Sequence, residues 1–154
     1  MEIRVEDVMN KKVVTIESDY SAKYAAKVMS SLRISSLVVK AGTTVVGILT
    51  ERDLVSRVVA KGLDPEKVLI CDVMSQPVVI VSPNIPLEKA VLVMLTRHIK
   101  KLPVMAGKNK ERLVGILSLT DIAKLHPSIY ARMKELDQAL APEPISEEVD
   151  FYIR

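Results

Sequence analysis

Apolar and polar positions along this chain fall into short blocks, and the same series of blocks occurs twice. Val13–Ile16 and Val78–Val81 are short apolar runs, each closed by a polar break, Glu17-Ser18-Asp19 or Ser82-Pro83-Asn84. Both read as strands. Ala22, Ala25, Ala26, Met29 and Leu32 then recur at helical spacing, predicting a helix from about Ser21 to Leu32. Its partner runs from Pro86, well placed for a first helical turn, to about His98. Two strands come next in each half: Leu37–Val39 and Val45–Leu49, then Leu102–Met105 and Leu113–Leu117. A closing helix is predicted from Glu51 to Lys61, stopped at Gly62 with Pro65 beyond, and its counterpart from Leu119 to Leu125, stopped by Pro127.

The correspondence extends to residue identity. An offset of 65 residues pairs Asp7-Val8-Met9 with Asp72-Val73-Met74, Ile34 with Ile99, and Leu37 with Leu102. After Val104 the offset becomes 68, because the turn Ala106–Arg112 is longer than Ala41–Thr44. A length change confined to a turn is where repeated units tolerate one. The repeats span residues 3–64 and 65–126, with residues 127–154 as an unrepeated tail. Each is a β-α-β-β-α unit of about 60 residues, too small to cover both faces of a sheet alone. The expected fold class is therefore α/β (α+β), two units packed sheet to sheet with pseudo-two-fold symmetry, plus a C-terminal helical tail.

In that tail Ile129, Met133, Leu136 and Leu140 make one apolar stripe, ended by Pro142 and Pro144 and followed by the acidic run from Ser146. The stripe fits packing on its own module or a symmetry mate. It also fits docking of another protein.

The candidate chemistry lies in a heptapeptide written twice: Gly47-Ile48-Leu49-Thr50-Glu51-Arg52-Asp53 and Gly115-Ile116-Leu117-Ser118-Leu119-Thr120-Asp121. A buried strand ends at a hydroxyl residue placed to cap the next helix, beside amides suited to an anion. The aspartate three residues on offers two acceptor oxygens, a match for a vicinal diol. Together these would suit a sugar phosphate or nucleotide. The same Ser/Thr-x-x-Asp spacing also describes a capping box that only stabilises a helix start.

Composition narrows the alternatives. Of 154 residues 49% are hydrophobic and 27% charged, which suits a soluble domain with a sizeable core. The longest apolar run, Ala90–Leu95, is too short to cross a bilayer, and Glu2, Glu6 and Asp7 do not suit a leader peptide. A cytoplasmic location is expected, and lone Cys71 agrees with it. A net charge of +3 and 3% aromatics, with no Trp and one Phe, argue against a nucleic-acid binder. The basic turn of Lys108, Lys110 and Arg112 reads better as a solvated hairpin. His98 and His126 stand apart with no ligand spacing around them, so no metal is expected. Without a GxxxxGKS/T loop or a triad spacing, catalysis is not expected either.

The paired xDVM openings, the Val-Val and Leu-Pro-Val strands and the doubled Gly-Ile-Leu-(Thr/Ser)-x-x-Asp resemble a tandem pair of CBS (cystathionine-β-synthase) domains, a Bateman module, over residues 3–125. The resemblance implies a non-catalytic regulatory module that binds AMP, ADP, ATP or S-adenosylmethionine and commonly forms a homodimer. Its output would reach an effector protein the sequence does not identify. Carried over residue by residue, one cleft would use Asp53 on the ribose, Thr50 near ribose or phosphate and Ile48 on the base, closed by Val78, Ile99 and Lys100. The other would use Asp121, Ser118 and Ile116, closed by Val13, Ile34 and Ser35. Lys100 and Lys101, with Arg52 beside Asp53, make the Asp53 cleft the expected phosphate-preferring one; the lysines also fit a solvated helix end. The contrasting possibility is a ligand-independent interaction or dimerisation scaffold.

Overall fold

The computed structural model describes residues 2–140 and 151–153. The expected helix stop at Pro142 and Pro144 and the acidic run from Ser146 lie outside the described residues. In chain order the elements are α1 (Val5–Val8), β1 (Thr15–Glu17), α2 (Ala22–Leu32), β2 (Ser36–Ala41), β3 (Thr44–Thr50) and α3 (Glu51–Leu54), which continues as a π-helical turn over Val55–Val59. They are followed by α4 (Ile70–Val73), β4 (Val79–Val81), α5 (Leu87–Thr96), β5 (Lys101–Ala106), β6 (Arg112–Ser118), α6 (Leu119–Leu125), α7 (Pro127–Ala139) and β7 (Phe151–Ile153). The fold is mixed α/β, and the β-α-β-β-α order appears twice, as the periodicity predicts.

The chain folds as two compact units that are cut differently from the repeats: one is Val13–Val78, the other runs through Lys12 and resumes at Val79. The opening segment of each repeat therefore belongs with the body of the other. Backbone hydrogen bonds show why. The Val5 and Glu6 amides donate to the Ile85 and Pro83 carbonyls, and Leu87 N–H donates to Ile3. In the other unit Ala22 N–H donates to Val68, and the Ile70 and Cys71 amides donate to Tyr20 and Ser18. Each opening segment thus satisfies backbone groups that would otherwise be orphaned just before a helix.

In the unit Val13–Val78, β1 runs parallel to β2 and β2 antiparallel to β3. Its core gathers Ile16, Ala22, Ala25, Met29, Leu37, Leu49, Val58, Ile70 and Met74. Ser21 caps α2 by accepting the Tyr24 amide at 3.1 Å, so the helix begins one residue inside the predicted start. It ends at Arg33 in the left-handed region (φ 53°), with Ile34 N–H closing onto the Met29 carbonyl.

The other unit carries a four-stranded sheet in the order β6-β5-β4-β7, the last strand antiparallel to β4. Its core holds Val5, Leu87, Ala90, Met94, Leu102, Val104 and Leu117, with Ile129 and Met133 of α7. The helix end repeats as well: His98 lies at φ 55° and Ile99 N–H reaches the Met94 carbonyl, so His98 is an exposed cap. Even the bulge recurs, between Val39 and Lys40 in one hairpin and between Val104 and Met105 in the other.

Helix α7 packs on its own unit through the first half of its stripe. Ile129 and Met133 are buried, whereas Leu136 and Leu140 stay 39% and 50% exposed. Thr96 donates to Asp137 at 2.7 Å, and Arg132 pairs with Glu88, tying the helix to α5. No helix among the described residues is long and apolar enough to cross a membrane.

Candidate functional site

The two Ser/Thr-x-x-Asp motifs occupy equivalent places, at the junction of β3 with α3 and of β6 with α6. The hydroxyl residue caps in both. Asp53 N–H donates to Thr50 Oγ1 at 3.2 Å, and Asp121 N–H to Ser118 Oγ at 3.4 Å. Beyond that shared bond the copies diverge.

In the first copy the carboxylate is engaged within the protein. Asp53 Oδ2 accepts the Thr50 amide at 2.9 Å, completing the reciprocal capping box. Ser75 Oγ lies 2.9 Å from Oδ1 and 3.1 Å from Oδ2, and Arg57 Nη1 stands 3.6 Å from Oδ1. Asp53 is only 5% exposed. Arg57 Nη1 also donates to the Val73 and Met74 carbonyls at 3.0 and 2.8 Å. The guanidinium thus holds the end of α4 against the aspartate.

The helix expected from Glu51 to Lys61 runs unbroken to Val59 but changes type on the way. Four α-helical residues give way to the π turn, closed by Ala60 N–H on the Val55 carbonyl. The i→i+5 closure was not visible in an apolar spacing read at 3.6 residues per turn.

In the second copy the aspartate is open. Asp121 is exposed, and among the described residues its carboxylate takes no hydrogen bond or ion pair. Ser118 is buried, and Lys101 Nζ donates to its hydroxyl at 3.2 Å. Helix α6 has seven residues, so its dipole is short, and the Lys101 ammonium is the stronger source of positive potential. The Lys101 ammonium and the Asp121 amide both reach one buried hydroxyl, and the Asp121 carboxylate stays exposed.

Within their own unit the lysines stand at the second motif: Lys101 is the cross-strand partner of Ser118, and the Lys100 carbonyl accepts the Leu119 amide at 2.9 Å. Hairpin register decides this, since β5 and β6 are joined by a short turn. Ser35 behaves likewise: its carbonyl accepts the Glu51 amide at 3.0 Å, in the unit of Thr50 and Asp53. Ile34 is half-buried next to it, and Ile99 holds the equivalent place beside Lys100. Ile48 is buried and exchanges backbone hydrogen bonds with Ser75; Ile116 is half-buried and does the same with Asn10. Val13 is half-buried, Val78 buried, and Arg52 exposed.

Arg57 and Ser75 were missed from sequence. The repeat offsets could have found them, because Arg57 stands opposite Leu125 and Ser75 opposite Asn10. An i,i+4 Asp-Arg pair is a recognisable helix spacing. Among the described residues no three His, Cys, Asp or Glu side chains converge as a metal site would require.

The CBS domain family profile matches residues 5–60 and again 70–127. The chain belongs to the CBS domain family. It is a tandem CBS domain pair, as the internal repeat implies. An uncharacterized protein of Methanopyrus kandleri is 34% identical over 134 residues, covering 86% of this chain and 67% of that one. A hexameric CBS-CP12 protein from bloom-forming cyanobacteria superposes with a TM-score of 0.72 at 30% identity, over 79% of this chain and 67% of that one. The CBS domain pair of protein MJ0100, solved with 5′-methylthioadenosine and S-adenosyl-L-methionine, gives a TM-score of 0.72 at 26% identity, over 83% and 98%. CBS pairs are regulatory modules, and the MJ0100 pair is one that holds adenosyl ligands.

Proposed function

We propose that this CBS pair is a regulatory module that binds an adenosyl ligand, AMP, ADP, ATP or S-adenosylmethionine, at the Asp121 site and passes the bound state to a separate effector protein. The observation that carries this reading is the open Asp121 carboxylate beside the Lys101–Ser118 hydrogen bond. A carboxylate accepts both hydroxyls of a ribose, and an ammonium at the adjoining hydroxyl suits a phosphate or the carboxylate of an amino-acid tail. The adenosyl ligands of the MJ0100 pair support the ligand class. Signalling then needs only that the ligand bind one conformation better than another, which shifts their populations.

A thermal-shift panel of AMP, ADP, ATP and S-adenosylmethionine, with GTP as control, tests it. A ligand at a hundred times its dissociation constant adds about 2.7 kcal/mol to folding stability. At least one adenosyl ligand raises the melting temperature and GTP does not; a flat panel refutes the reading.

A second reading, a ligand-independent dimerisation scaffold, draws on Val55 and Val59, which are 61% and 72% exposed on the π-helical turn. Apolar residues exposed one turn apart suit a partner surface. The hexameric cyanobacterial neighbour supports assembly of some order. A flat ligand panel together with a dimer by analytical ultracentrifugation, lost in Val55→Asp/Val59→Asp, favours this reading.

A further inference from the structure

The two copies of the motif differ at the two positions that touch the first aspartate. Ser75 Oγ bonds both oxygens of Asp53, and Arg57 stands 3.6 Å away while clamping the Val73 and Met74 carbonyls. At the equivalent places the second copy has Asn10, whose Oδ1 accepts the Lys12 amide, and Leu125, which is 71% exposed. The π turn that carries Arg57 is likewise confined to the first copy; α6 is α-helical through Leu125.

We infer that Arg57 and Ser75 form an internal latch that occupies the Asp53 carboxylate in place of a ribose diol, so the chain takes one adenosyl ligand, at Asp121, and a second only when the latch opens. The inference rests on the reading that an aspartate in this motif holds the ribose. A diol must bring two donors to the carboxylate, and here Ser75 shares its one hydroxyl proton between both oxygens while the Thr50 amide takes Oδ2, in a residue only 5% exposed. Displacing it leaves the hydroxyl to find another acceptor and loosens the segment that the guanidinium ties down, a cost that Asp121 does not impose. The latch is thus a source of selectivity between two otherwise equivalent motifs. It also lets a change at Val73–Ser75 alter ligand capacity.

Two measurements test this separately from the functional reading. The first needs no ligand. The Ser75 and Ile48 amides bond each other's carbonyls at 2.8 and 3.2 Å. In Arg57→Leu their hydrogen exchange should quicken by about tenfold, whereas Arg57→Lys, which keeps a cation but not the paired carbonyl bonds, should be intermediate. Unchanged protection in Arg57→Leu overturns the latch. The second is calorimetric titration with whichever of AMP, ATP or S-adenosylmethionine binds. The native chain should take one equivalent, Asp121→Asn should take none, and Arg57→Leu/Ser75→Asn, which installs the residues of the other copy, should take two. Two equal equivalents in the native chain, one equivalent in Asp121→Asn, or one in the folded double variant overturns the proposal. If no adenosyl ligand binds the native chain, the functional reading fails, and the exchange result decides whether the latch stands.

Discussion

Met74 lies so close over Gly47 that a Cβ on the glycine would meet its sulfur at 2.6 Å and the Ser75 carbonyl oxygen at 3.0 Å. The same arrangement recurs where Met9 covers Gly115, again with the sulfur at 2.6 Å. Each methionine closes an Asp-Val-Met opening, and each glycine begins a Gly-Ile-Leu run, so the two halves of the repeat signature are in contact within each unit. Gly47→Ala and Gly115→Ala should each lower stability by about 1–3 kcal/mol, since the added methyl must displace a packed thioether and approach a carbonyl. Denaturant midpoints that match the parent protein would show that the methionines yield without cost.

Lys101 should set the preference for charged ligands. Its ammonium donates to the Ser118 hydroxyl next to the open Asp121 carboxylate. A charge-assisted contact to phosphate is worth about 1–2 kcal/mol, close to tenfold in affinity. Lys101→Gln should therefore weaken AMP roughly tenfold while leaving adenosine nearly unchanged. Equal loss for both would mean that the lysine positions Ser118 rather than meeting the phosphate.

The α7 contacts should contribute to stability more than to ligand binding. Met133 is buried on the core of its unit, so Met133→Ala should cost about 2–4 kcal/mol. Leu136, which is 39% exposed, should tolerate alanine within about 1 kcal/mol. Urea unfolding of the two variants measures the difference, and equal losses would contradict the packing described.

The exposed pair of Lys23 Nζ and Glu66 Oε1, 2.5 Å apart, should move the titration of each partner away from the other's. The hydrogen bond from Lys23, and then its charge, hold Glu66 below its usual 4.5, while the same partner raises Lys23 above 10.5. A lowered carboxylate adds stability above its unfolded value and loses it as pH falls through the folded one. A raised lysine adds stability below its unfolded value and loses it as pH rises through the folded one. The pair is therefore intact between those limits. In Lys23→Gln the Glu66 carboxyl resonance should titrate closer to its ordinary value, and an unmoved midpoint would mean the pair does not persist in solution.

Much of this was legible in the sequence because it rests on local periodicity. The apolar spacing of α2 and α5, the paired strands and the capping role of Thr50 and Ser118 all follow from neighbours in the chain. What sequence order concealed is nonlocal. The opening segments exchange between repeats because Val5 and Ile70 find their hydrogen-bond partners tens of residues away, which a unit-by-unit reading does not anticipate. The place of Lys101 beside Ser118 follows from hairpin register, and the Ser75 contact to Asp53 is hidden from local spacing because the two lie 22 residues apart. A short motif reports its own helix cap reliably and says little about what else reaches the same carboxylate.

The most direct measurement is a crystal structure of this chain grown with saturating AMP or S-adenosylmethionine. The account predicts a ribose whose two hydroxyls lie within hydrogen-bond distance of the Asp121 carboxylate, with Ser75 still bonded to Asp53. A ribose held by Asp53, or an adenosyl ligand bound away from both aspartates, would contradict it.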